Sequence, residues 1–110
     1  MFPVRKDYRV VSDNSFDLLI ELETKVNIEK IYFTIKDNMN KVVLQKTLQN
    51  GITFENNNIY IKVKPEDTRH LKNTYNYDVK IKYNKNLDKL TILFGEFKVK
   101  KLTTLSEDEV

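Results

Sequence analysis

TYNYDVKIKYN, residues 74–84, alternates almost without fault: Tyr75, Tyr77, Val79, Ile81 and Tyr83 fall on one side, and Asn76, Asp78, Lys80, Lys82 and Asn84 on the other. Strict alternation of β-branched and aromatic residues with polar ones predicts a half-buried β-strand. The same pattern recurs along the chain between Asn- and Asp-rich breaks. Residues 7–12 and 16–23 flank the turn DNS, and Phe16, Leu18, Ile20 and Leu22 share a face. These two strands are predicted to form either a hairpin or adjacent strands of a sandwich. Residues 30–36, with Ile31, Phe33 and Ile35 inward, run into DNMN and return along residues 42–48. A short apolar piece, residues 52–54, follows QNG, and residues 58–64 follow ENNN with Ile59, Ile61 and Val63 on one side.

Pro65 lacks an N–H for a sheet ladder but suits a first helical turn, so PEDTRHL, residues 65–71, is predicted to be a helical turn leading into the quoted strand. The final strand, residues 90–100, changes parity at Gly95: Ile92 and Phe94 lie on even positions, Phe97 and Val99 on odd ones. A bulge at Gly95 would reconcile them. Without it, Leu93, Gly95, Phe97 and Val99 face inward, leaving Ile92 and Phe94 as an exposed apolar pair and a candidate partner interface.

Short strands at intervals of about ten residues, with no strong amphipathic helix, predict an all-β fold: an antiparallel β-sandwich of about seven to eight strands. A five-stranded oligonucleotide-binding barrel is the main rival. The 110-residue chain makes one domain, residues 1–102, followed by an acidic tail, residues 103–110. A chain of this length removes roughly 65% of its extended surface from water, enough for a core without metal or disulfide staples. There is no cysteine, which suits synthesis in a reducing cytoplasm and excludes disulfides and thiolate ligands. Charges at Arg5, Lys6 and Asp7 interrupt any signal-peptide core, and no apolar run approaches membrane-spanning length.

Residue types argue against catalysis and cofactor binding. His70 is the sole histidine, so zinc with three or four protein ligands is not expected. Gly51 and Gly95 are the sole glycines, which excludes the usual phosphate-cradling loops. Ser12, Ser15 and Ser106 sit in turn and tail sequence, with no conventional base other than His70 for a nucleophile. Glu21 with Glu23 suits an outer strand face, and Glu66 with Asp67 suits the first turn of a helix. DNMN and ENNN are explained by β-turns rather than calcium. No catalytic, cofactor or metal residue is therefore assigned.

The formal charge is +3, with Glu107, Asp108 and Glu109 gathered at the end, so the body is basic and the tail acidic. Lys80 and Lys82 on one strand and Lys98 and Lys100 on the next, joined by Tyr32, form a candidate basic face if those strands pair. The cations are mostly lysine, with arginine at Arg5, Arg9 and Arg69 alone, and polar outer positions are expected on any sheet. Nucleic acid is therefore the weaker reading, and no membrane partner is expected.

The pair YNYD at Tyr75 to Asp78 and GEFKV at Gly95 to Val99, preceded by Leu71 and with Thr91 and Thr103 at their places, resembles a motif of phage virion proteins. The chain is similar over nearly its whole length to the immunoglobulin-like domain at the N-terminus of phage upper baseplate proteins and of related small head or tail proteins. Asn73 and Thr74 stand where such domains often carry a glycine. The resemblance implies an immunoglobulin-like β-sandwich, made in a host cytoplasm and carried in the virion. There it would dock without catalysis on capsid, tail or baseplate subunits or on a fibre, and oligomerise on assembly. Within such a domain Tyr75 or Tyr77 acts as a tyrosine corner, its ring buried and its hydroxyl bonded to a backbone group near residues 65–71. The alternatives are a nucleic-acid-binding β-barrel and a phage-encoded inhibitor of a host protein.

Overall fold

The computed structural model describes residues 3–83 and 88–101; the acidic tail assigned from sequence lies outside them. The described chain forms strands β1 Val4–Arg5, β2 Tyr8–Val11, β3 Phe16–Glu21, β4 Ile28–Lys36, β5 Val42–Leu48, β6 Gly51–Glu55 and β7 Asn58–Val63. A single helical turn, α1 Pro65–Thr68, precedes β8 Thr74–Tyr83 and β9 Leu90–Lys100. Hydrogen-bonded neighbours follow the order β1-β9-β8-β4-β5-β6-β7-β3, with β2 also on β9. This path folds over on itself, because its far ends touch: the Phe16 ring of β3 packs edge-on against Phe97 of β9 with centroids 5.5 Å apart. The result is a β-sandwich with one layer of β1/β2, β9, β8, β4 and β5 and a second of β6, β7 and β3.

Antiparallel β3–β7, β4–β8 and β8–β9 pairs, with a first strand running parallel to the last, give the pairing pattern of an immunoglobulin-like sandwich. The strands on either side of DNS are thus sandwich neighbours in opposite layers, not a hairpin. Their turn is held by α1. The buried Thr68 hydroxyl accepts a hydrogen bond from the Asp13 N–H at 2.9 Å and lies 3.1 Å from the Asn14 carbonyl oxygen, and Ser12 Oγ donates to the Thr68 carbonyl at 3.0 Å.

Turn chemistry explains the connections. Asp37 Oδ1 accepts the N–H groups of Met39 and Lys41 at 2.9 Å each, closing the β4–β5 hairpin, with Asn40 at φ 65°. Asn56 and Asn57, both at positive φ, form the two-residue turn between β6 and β7, a geometry that matches the right-handed twist of paired strands. At QNG the chain crosses between layers. Gly51, at φ 94°, lies so close to the Lys46 stem that a Cβ would approach its Cδ to 2.6 Å.

The core is built from the strand faces expected of alternation: Ile31, Phe33 and Ile35 of β4, Ile59, Ile61 and Val63 of β7, and Tyr75, Tyr77, Val79 and Ile81 of β8. Tyr8, Phe16, Phe33, Tyr77 and Phe97 form a ring cluster with centroid spacings from 5.1 to 6.3 Å, mostly in the tilted or edge-to-face geometries that aromatic quadrupoles favour.

The parity change in β9 has a different cause from the one expected. Val79 opposes Leu93 while Lys80 opposes Thr91, so the extra residue is Ile92, three positions before Gly95. A bulge there turns two consecutive apolar side chains inward, and Ile92 and Leu93 are 6% and 7% exposed. Gly95 serves another need. Between β1 and β2 the chain kinks at Lys6 and Asp7 and passes directly over Gly95, where a Cβ would collide with the Lys6 carbonyl oxygen. The kink is pinned from three sides: Lys6 N–H donates to the Phe94 carbonyl at 2.9 Å, Glu96 N–H donates to Asp7 Oδ1 at 2.9 Å, and the Tyr77 hydroxyl donates to the Lys6 carbonyl.

Candidate interaction surfaces

Side chains that carry chemistry are dispersed. Among the described residues no group of three or more His, Asp and Glu side chains converges as a metal site, and no helix is long and apolar enough to cross a membrane. His70 is exposed beyond α1.

Lys80, Lys82, Lys98 and Lys100 share the outer face of the larger sheet but do not gather into one patch. Lys80 opposes Thr91 and Lys98 opposes Thr74, which places the pairs seven β9 residues apart, about 23 Å at strand rise. Asp78 and Glu96 lie between them. Lys80 and Lys82 sit beside Tyr32 and Lys30 of β4. Tyr32 does join this end, but the Lys89 ammonium lies 4.3 Å over its ring, so that face is already capped by a cation. Lys98 and Lys100 belong to a second basic focus at the other end, where Arg9, Lys72 and Lys101 join them around a shallow groove beside Val11. Lys72 and Lys101 escape notice in sequence, because a cation just outside a strand gives no periodic signal.

The expected exposed pair Ile92 and Phe94 is not present as such. Ile92 is buried by the bulge, and Phe94 is half-buried on the outer face, opposite Asp78 and paired in register with Arg5. Apolar exposure lies elsewhere. Met39, 84% exposed, stands at the β4–β5 turn beside exposed Val42 and Val43. The β5 segment from Val42 to Lys46 bonds β4 on one side and has no described strand on the other, since β6 joins it only at Thr47 and Leu48. Exposed Leu19 and Tyr60 face each other across β3 and β7. Alternation in 16–21 reveals that Leu19 points out, but in 42–48 it gives Val42 the parity of inward Lys46, and it does not show that β5 ends the sheet.

The tyrosines divide the work foreseen for one of them. Tyr75 is the corner: the residue is buried and its hydroxyl accepts the Lys72 N–H at 3.2 Å, just past α1. Tyr77 instead reaches Lys6. Burial raises the Tyr77 phenol well above its ordinary range, with Tyr8 and Asp7 acting in the same direction, so it stays protonated and able to donate. At the sandwich margin Lys46 projects inward opposite Phe33 and binds Asp67 of α1 at 2.8 Å, both side chains being largely buried. Burial alone would raise the Asp67 carboxyl, but the Lys46 hydrogen bond, the Lys64 N–H at 2.8 Å and the two lysine charges hold it below its ordinary value.

These features define an immunoglobulin-like β-sandwich with exposed apolar side chains along one sheet edge and two groups of cations on one sheet face. Its backbone is similar to that of CopC from Methylosinus trichosporium OB3b, with a TM-score of 0.55 over 89% of each chain at 12% sequence identity. The extracellular domain of the voltage-gated sodium channel beta4 subunit aligns over 90% of this chain and 93% of its own at 15% identity, with a TM-score of 0.45. No protein-family model matches the sequence, and no curated protein matches it.

Proposed function

We propose that the protein is a docking module of a phage particle, binding other virion proteins without catalysis as an auxiliary head protein or as a tail or baseplate adaptor. The observation that carries the docking role is the unpartnered edge of β5, where free backbone groups run beside exposed Met39, Val42 and Val43. An open strand edge with apolar flanks gains both main-chain hydrogen bonds and buried surface when a partner strand adds to it. Assembly with further copies through the same edge belongs to this reading. The phage setting is supported by the resemblance through Tyr75, Tyr77, Asp78, Gly95, Phe97 and Val99.

Quantitative mass spectrometry of purified particles of the encoding phage tests it. Stoichiometric presence is expected, and abundance near that of the major capsid protein would mark the head rather than the baseplate. A variant with Val42→Lys and Val43→Lys, folded by circular dichroism, is expected to be lost from particles. Absence of the natural protein from particles would retire the virion role, and a one-to-one complex with a host protein would then identify an inhibitor.

A further inference from the structure

We infer that the groove at the β2–β9 end is a binding site for an acidic peptide segment of a partner protein, with an aliphatic side chain between its carboxylates. Arg9, Lys72, Lys98, Lys100 and Lys101 rim it, and no carboxylate lines it. Two of these cations, Arg9 and Lys98, are directly opposed in the parallel β2–β9 register. Like charges so placed destabilise a sheet. None of the five takes part in the ion pairs among the described residues, which use Arg5, Lys46 and Arg69. Among the described residues this is therefore a positive focus without a paired carboxylate, held at a local electrostatic cost that the carboxylates of a partner relieve.

The chemistry of the lining selects the ligand class. Half-buried Val11 supplies an apolar contact for an aliphatic side chain, and no aromatic ring lines the groove on which a nucleobase would stack. Arg9 offers a planar fork that matches a carboxylate, and the four lysines add point charges around it. The site is distinct from the β5 edge and does not rest on the virion reading.

Binding of a fluorescein-labelled peptide of alternating Glu and Leu to the full chain, followed by anisotropy at low and physiological salt, tests the site. Binding that weakens with salt is expected, together with a loss of about tenfold or more in Lys98→Glu/Lys100→Glu and wild-type affinity in Lys80→Glu/Lys82→Glu at the far end. Melting curves confirm that both variants fold. No binding, equal losses in the two variants, or tighter binding of a single-stranded oligonucleotide at the same salt would each overturn the assignment. A chain with Glu107→Gln, Asp108→Asn and Glu109→Gln is measured alongside. Unchanged affinity upholds an external partner, whereas a tenfold gain would reassign the groove to the chain's own acidic end.

Discussion

Tyr75 and Tyr77 stand two residues apart on β8, and their hydroxyls go opposite ways. Tyr75 closes the local corner onto Lys72, while Tyr77 reaches across the sheet to the kink at Lys6. Truncating Tyr75 to alanine removes a buried ring and is expected to cost about 3 kcal/mol or more. A denaturant midpoint within error of the natural protein would refute the corner assignment. Tyr77→Phe keeps the ring and leaves the Lys6 carbonyl without its donor, with an expected cost of about 1–2 kcal/mol. It also changes the alkaline limb of stability. The folded phenol is raised above 10.0, so its contribution is complete below that value and fades as pH rises through the folded one. Melting temperature plotted against pH is expected to fall less steeply above pH 10 in the phenylalanine variant. That both tyrosines point inward is legible from alternation. Which hydroxyl meets which carbonyl is not, because Lys6 is 71 residues away in sequence.

At the scale of the element, β9 reconciles two inward-facing sets by placing its bulge at Ile92, leaving Gly95 free for the crossing of the β1–β2 kink. Gly95→Ala drives a methyl group into the Lys6 carbonyl, so the kink, rather than β9, is expected to give way. Amide hydrogen exchange checks this: Lys6 and Glu96 are expected to lose protection while Val79 and Ile81 retain theirs. Uniform loss across β8 would instead point to a damaged core. Sequence parity leaves open whether β9 contains an irregularity between residues 92 and 97 or runs regularly with Ile92 and Phe94 outward. It cannot choose the position, since a bulge at either place turns Phe97 and Val99 inward. The asparagine turns were readable for the opposite reason: their conformations are set by two to four adjacent residues.

At the scale of the whole molecule, the crossing from β5 to β6 and the α1 turn join the two layers, and the Lys46–Asp67 pair ties one to the other. Asp67 is held below its ordinary carboxyl value when folded. Its contribution is therefore present above the ordinary value of 3.8 and lost as pH falls through the lower folded value. Asp67→Asn is expected to lower stability near neutral pH by roughly 2 kcal/mol and to flatten the decline below about pH 4. An unchanged acid limb would show that other carboxylates govern acid unfolding. Sequence alone determined the strand faces, the turns, the polar outer surface and the unlikeness to catalytic motifs, because these follow from side-chain periodicity and short-range backbone chemistry. Only the tertiary structure decided that β1 and β2 run parallel to β9, that the basic residues divide into two foci, and that β5 is left as an apolar edge. Those outcomes depend on which strands meet across the sandwich, a choice made by the combined packing of distant residues.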